Sequence, residues 1–247
     1  MTNGPVVGVV GTDTDGVVAA VEAAGGTPVV GAARSVVDDS EALIAVGEPA
    51  LLAVARAAPS VSVLPVAAGR GVRSVPLDAV GEAVDAYLSD DFERSSHPIV
   101  DVRVGDGTRA RALLDVMLVS AEPAQISEYA VDSGDLRVAR FRADGVVLAT
   151  PAGSSGYASA AGGPVLSPDA DAAAVVPVAP FETDTDHWVV PTDDLSVSVE
   201  RDETAVHLLA DDRVVGTVDP DESVSATPGA SLSVAVVDES RSPYASA

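Results

Sequence analysis

Residues 150 to 164, TPAGSSGYASAAGGP, follow the apolar run GVVLA and gather Ser154, Ser155, Gly156, Tyr157 and a Gly-Gly-Pro stop into one short stretch. Three readings fit that spacing. Glycines let the backbone approach a ligand closely, and amides at a turn or helix start attract phosphate and ribose groups, so the first chemistry is nucleotide binding. The second is acyl transfer: Ala152, Ser154 and Gly156 form a variant of the G-x-S-x-G nucleophile elbow, with His187 or His207 downstream as base. That elbow requires a parallel α/β sheet around it. The third is no chemistry, with Gly and Ser serving as turn formers, although the segment is long and glycine-dense for a hairpin turn. Taken singly, Asp144 reads as a turn aspartate before Gly145, and Tyr157 as a core ring with its hydroxyl at the surface.

Composition removes other chemistries. The 247 residues contain no cysteine, which excludes disulfides, thiolate zinc sites and a cysteine nucleophile. His97, His187 and His207 are scattered, so no metal site held by side chains is expected. All 14 basic residues are arginine; without lysine there is no Walker A loop, Schiff base or kinase-type lysine clamp.

Against those 14 arginines stand 38 acidic residues, a net charge of -24. Duplex nucleic acid, which needs a basic patch, is disfavoured as a ligand. The aspartates are spread along the chain rather than gathered in a tail, a composition similar to that of cytoplasmic proteins from salt-loving organisms; a basic partner is the other explanation. Molar salt shortens the Debye length to roughly 3 Å and screens the self-repulsion. The Tm is therefore expected to rise steeply from low salt to molar KCl, and a flat response would give the acidic surface another purpose. No apolar run reaches the roughly 18 residues of a membrane helix, and MTNGPVVGVVGTD lacks the order of a signal peptide, so no membrane partner and a cytoplasmic location are expected.

The elements that must position these residues fall into two grammars. Up to about residue 93, apolar runs (PVVGVVG, TPVVGA, EALIAVG, SVSVLPV) alternate with helical spacings (GVVAAVEAAGG, LLAVARAA, AVGEAVDAYL), which predicts a parallel α/β domain of Rossmann or flavodoxin type over 1–93. Residues 94–247 read as strands alone, from HPIVDVRV and TRARALLDVMLVS to LSVAVV, with turn signals at 105–107, 133–135 and 143–145. An antiparallel β-sandwich domain is expected there, with the last residues free to return to the first domain.

The segment ADGVVLATPAGSSGYASAAGGP resembles the signature of the NAD kinase family, D-G, an apolar strand, T-P-x-G-S-T-A-Y and A-G-G-P. The order of an α/β domain followed by a β domain carrying this loop is also similar. The resemblance implies ATP-dependent phosphorylation of the 2'-hydroxyl of NAD, with NAD and ATP as small-molecule partners. Mg2+ would be supplied with the nucleotide, and the protein would be a homodimer or homotetramer with sites near subunit contacts. It places Asp144, Ser155, Gly156 and Tyr157 on the dinucleotide. The family's Asn-Glu pair falls on Leu114 and Asp115, and its G-x-N-x-G-R-x-G segment falls on AAGRGVR, keeping Gly69 and Arg70 and putting Ala67 for the Asn. Arg70 and Arg73 become phosphate candidates; pairing with surface aspartates is the alternative.

The chemistry-bearing motif is altered. Where the family has G-G-D-G-T, residues 46–50 read V-G-E-P-A, so Glu48 stands for the Asp base, Pro49 for a Gly and Ala50 for the Thr. Glu48 keeps a carboxylate one methylene further out, or is only an acid favoured at a helix start. Pro49 has no N–H to offer a phosphate, and Leu114 cannot make the hydrogen bonds of an Asn. Two functions follow from the resemblance: an NAD kinase with an altered catalytic loop, or a nucleotide-binding or sensor protein on the same fold without turnover.

Overall fold

The computed structural model describes residues 4–105, 107, 109–122, 125–182, 185–201 and 204–242. The chain divides into two compact units, Met1–His97 with Ser231–Ala247, and Pro98–Ala230.

In the first unit, β1 (Val6–Gly11), β2 (Thr27–Val30), β3 (Ala42–Val46) and β4 (Val63–Val66) alternate with α1 (Asp15–Ala23), α2 (Ala33–Val36), α3 (Glu48–Ala57) and α4 (Val80–Leu88). The strands pair in parallel in the order β2-β1-β3-β4, and Val234 of the last strand, β15 (Ser223–Val236), pairs in parallel with Val63. With β15 counted fifth, this is the flavodoxin-like order 2-1-3-4-5. Central strands in such sheets are covered on both faces and read as unbroken apolar runs, as Leu43, Ile44 and Ala45 do at 0% exposure. Edge strand β2 leaves Val29 and Val30 exposed.

Val17 and Val21 of α1 and Val84 and Tyr87 of α4 pack on Val7, Val9, Ile44 and Leu64. The Tyr87 hydroxyl donates to the Ser62 carbonyl at 2.6 Å and accepts from the Leu43 amide at 3.0 Å, pinning α4 to the sheet. Burial pushes this hydroxyl up to about 12, outweighing the Leu43 amide that pulls it down, so it remains a donor.

From β1 the chain crosses to β2 on one side, while β3 leads to β4 on the other, and right-handed crossovers put α1 and α3 on opposite faces. The carboxyl ends of β1 and β3 therefore flank a topological switch point, where open α/β sheets hold their ligands. Glycine is required at both ends. Gly11 has φ 138° and a Cβ there would stand 2.4 Å from the Val46 carbonyl; Gly47 has φ 86°.

The second unit is built largely of antiparallel ladders. Its strands are the later part of β5 (Glu93–Val104), β6 (Arg109–Ala112), β7 (Asp115–Ser120), β8 (Ser127–Ser133), β9 (Leu136–Ala149), β10 (Ala173–Pro180), β11 (Trp188–Val190), β12 (Leu195–Arg201), β13 (Val206–Ala210), β14 (Arg213–Val218) and the first part of β15; α5 (Tyr157–Ala160) is its one helix among the described residues. The ladder runs β14-β13-β7-β9-β8-β12-β15. The first half of β9 pairs with β8, and its second half lies between β7 and β10, so one strand serves two ladders. Alternate residues such as Val116, Leu118, Val146, Leu148, Val197, Val199, Val206 and Leu208 form one buried core, the period of a β-sandwich.

Two expectations are corrected here. The Asp-Gly pair at 144–145 is no turn: LRVARFR and GVVLA are one 14-residue strand, β9. Gly145 is there because β7 passes close by; a Cβ would lie 2.6 Å from the Leu118 carbonyl. Conversely, TRARALLDVMLVS is two strands, broken at Leu113 and Leu114 between β6 and β7.

Candidate functional site

That break positions the loop after β9. Thr150 donates its hydroxyl to the Leu113 carbonyl at 2.7 Å and its amide to the Leu114 carbonyl at 2.9 Å, while the Gly153 amide donates back to the Thr150 hydroxyl. Gly153 sits directly on Leu114, since a Cβ would fall 1.9 Å from the Leu114 oxygen. Ser154 is fully buried; its hydroxyl donates to the Pro151 carbonyl and accepts from the Leu166 amide. A hydroxyl so committed, among antiparallel strands, is a structural anchor, and the acyl-transfer reading falls.

Beyond this anchor the loop turns outward. Ser155 is half-buried, Gly156 is exposed and Tyr157, the first residue of α5, is 50% exposed. Tyr157 is thus not the core ring its type allows. The Gly-Gly pair ends α5: the Gly163 amide reaches the Ala158 carbonyl and the Gly162 amide the Ser159 carbonyl, with Gly162 at φ 93°. This is the Schellman arrangement, so these two glycines are explained by capping.

Leu114 and Asp115 are half-buried beside the loop, Asp115 opening β7. The structure therefore brings Asp115, Leu114 and the Ser155–Tyr157 segment together on one backbone frame. Asp144 is set apart from them within the unit, half-buried on β9, six residues or about 20 Å of extended backbone from Thr150.

The hydrogen bonds also show a residue that the sequence reading passes over. Asp211, in the two-residue turn between β13 and β14, accepts from the Leu113 amide at 3.0 and 3.1 Å, the Leu114 amide at 2.7 Å and the Asp115 amide at 3.3 Å. The one signal in the sequence is an Asp-Asp turn between two apolar runs, and nothing there points to amides almost a hundred positions earlier.

In the α/β unit, α3 starts at the switch point with Glu48, exposed, then Pro49. The Glu48 carboxylate lies on Gly69: a Cβ there would be 2.5 Å from Oε2, and φ at Gly69 is 82°. Gly69 and the exposed Arg70 belong to a closed loop after β4, tied by the Ala67 amide to the Val75 carbonyl and the Ala68 amide to the Ser74 hydroxyl. Glu48, Gly69 and Arg70 are thereby neighbours. Among the described residues no group of three or more His, Asp or Glu is arranged to hold a metal ion.

Residues 113–234, which hold the Leu113–Leu114 break, the loop and Asp211, match the ATP-NAD kinase C-terminal domain. This β-rich half carries the C-terminal domain of the NAD kinase family. The NAD kinase of Methanosarcina barkeri is 42% identical over 118 residues, 48% of this chain and 42% of that protein. The Methanosarcina acetivorans NAD kinase is 35% identical over 150 residues, 60% of this chain and 54% of that protein. The chain thus spans about half the length of the curated relatives it matches. In fold, it is similar to yeast NADH kinase complexed with NADH, with a TM-score of 0.80 at 15% identity over 97% of this chain and 85% of that one. An NAD kinase from Archaeoglobus fulgidus in complex with ATP superposes with a TM-score of 0.75 at 20% identity, covering 93% and 92%. These two likenesses carry the two-part architecture, a parallel α/β unit and an antiparallel β unit.

Proposed function

We propose that the protein is an NAD kinase, transferring the γ-phosphoryl group of ATP to the 2'-hydroxyl of NAD to give NADP. The observation that supports this most directly is the loop Thr150–Tyr157 held against the Leu113 and Leu114 carbonyls by Thr150, inside the segment that matches the family. Asp115, Ser155, Gly156 and Tyr157 are assigned to the dinucleotide, Arg70 to phosphate, and Glu48 to the base. The Glu48 carboxylate takes the 2'-hydroxyl proton as the oxygen attacks; the bond from the γ-phosphorus to the bridging oxygen breaks and ADP leaves. Rate enhancement then rests on alignment and on neutralising the charge of the transferred group.

Mg2+ would come with the triphosphate, since that ion usually keeps several waters and binds through substrate phosphates with one or two carboxylates. When bound, it would neutralise charge on the β- and γ-phosphates. Asp144, half-buried on β9, is assigned to the dinucleotide as well, and the protein to a homodimer or homotetramer.

A second reading, nucleotide binding without turnover, is favoured by two observations: Pro49 removes an amide from the first turn of α3, and Leu114 offers an apolar side chain beside the loop. One experiment separates the two. Purified protein in molar KCl is given Mg-ATP and NAD and assayed for NADP, beside calorimetric titration of NAD alone. NADP formation is expected; heat of binding without NADP supports the second reading, and neither signal discards both.

A further inference from the structure

We infer that Asp211 is a positioning residue of the nucleotide site. Its carboxylate holds the Leu113–Asp115 backbone in place and, through Thr150, the Thr150–Tyr157 loop. The inference rests on the nucleotide-binding reading above and assigns Asp211 no contact with the ligand.

Strand β6 ends at Ala112 and β7 begins at Asp115, so the amides of Leu113, Leu114 and Asp115 fall where the chain bends. Buried or half-buried amides need acceptors, and three consecutive amides pointing one way form the concave anion receptor that phosphates and carboxylates occupy. Here the occupant is internal. An ionised carboxylate is an acceptor at both oxygens, with room for several N–H groups, and Asp211 Oδ1 alone takes all three amides at 2.7 to 3.3 Å. The Asp211 amide closes the ring by donating to the Asp115 carbonyl at 2.9 Å. Asp211 reaches this position at φ 52°, a left-handed backbone that aspartate adopts more readily than most residues.

Two of the same three residues are also held through their carbonyls. The Leu113 and Leu114 carbonyls accept from the Thr150 hydroxyl and amide, and Gly153 rests on the Leu114 oxygen. A charged clamp on the amides and a loop docked on the carbonyls therefore share one peptide segment. Movement of that segment moves Leu114, Asp115 and the loop bearing Ser155, Gly156 and Tyr157 together. Asparagine has the shape of aspartate and keeps one acceptor oxygen, but it loses the carboxylate charge and sets an NH2 against the Leu113 amide that Oδ2 serves, so Asp211→Asn weakens the clamp with little change in volume.

The test is calorimetric titration of NAD into wild type, Asp211→Asn, Thr150→Val and Val131→Ala in molar KCl, well below each Tm, with KM and kcat for NAD where turnover is present. Val131→Ala is the control, because Val131 is a buried core residue of β8 and its loss lowers stability without touching the clamp. Asp211→Asn is expected to weaken NAD binding about tenfold or more, raising KM while leaving kcat within about threefold. Thr150→Val should act in the same direction. Equal NAD affinity in wild type and Asp211→Asn would overturn the inference, as would a Val131→Ala loss as large as that of Asp211→Asn. If Asp211→Asn does not fold, unchanged affinity in Thr150→Val overturns it and weakened affinity supports it. Absence of any NAD heat from wild type would instead end the nucleotide-binding reading, and the inference with it.

Discussion

Replacing Gly153 with alanine is expected to unfold the candidate site and to lower the stability of the whole β unit. The added Cβ would lie 1.9 Å from the Leu114 oxygen, 2.4 Å from its carbonyl carbon and 2.9 Å from its Cα. Every one of those atoms is backbone, so no side-chain rotation relieves the clash. Neither partner moves freely: Leu114 is held by Asp211, and the loop is held by Thr150 and by the buried Ser154 hydroxyl. Forcing such a contact typically costs about 3 kcal/mol or more, which for a chain of this length lowers the Tm by roughly 6 to 12 °C. NAD affinity should fall with it, since Leu114, Asp115 and the loop separate. Gly156 is the informative contrast. Its Cβ would meet the Gly153 carbonyl at 3.3 Å, a tight approach but no overlap, so Gly156→Ala should cost clearly less stability than Gly153→Ala. Thermal melts of both variants in molar KCl decide it: a Gly153→Ala protein melting with wild type would mean that the loop does not rest on Leu114 in solution.

The same contacts explain which features could be read from residue order. Valine runs separated by alanine-rich helical spacings reveal the parallel sheet, because central strands buried on both faces need unbroken apolar stretches. The Gly-Gly stop of α5 is equally local, as capping depends on residues a few positions apart. Gly145 is different. An Asp-Gly pair favours a turn in isolation, and what keeps the chain extended is the close passage of β7, some 27 residues earlier, visible only once the strands are paired. Asp211 is further still from local reading, for it fills the needs of backbone amides, which every residue has and no residue type marks. Tyr157 could be read either way from its type, and the anchoring of Ser154 and Ala158 in the core is what turns it outward.

For the chemistry itself, Glu48→Gln is the substitution expected to cost most. Glutamine keeps the size and hydrogen-bonding reach of glutamate but cannot accept the 2'-hydroxyl proton. A positioned general base contributes roughly 10²- to 10⁴-fold, so kcat should fall by about that factor with little change in KM. Glu48 is exposed, and substitution of an exposed residue usually changes stability by no more than about 0.5 kcal/mol, so the Tm should hold. Glu48→Asp discriminates between two geometries. If the loop after β4 has been set to receive the longer side chain, as the seating of the Glu48 carboxylate on Gly69 suggests, shortening it misplaces the base by about 1 Å and costs up to a hundredfold. A rise in rate would mean instead that the extra methylene hinders the base. Gly69→Ala tests the seat directly, because its Cβ would occupy space 2.5 Å from Oε2 at a φ of 82° that alanine resists. Unchanged NADP formation by Glu48→Gln would leave Glu48 as an acid stabilised by the start of α3, and the proton would have to leave by another group.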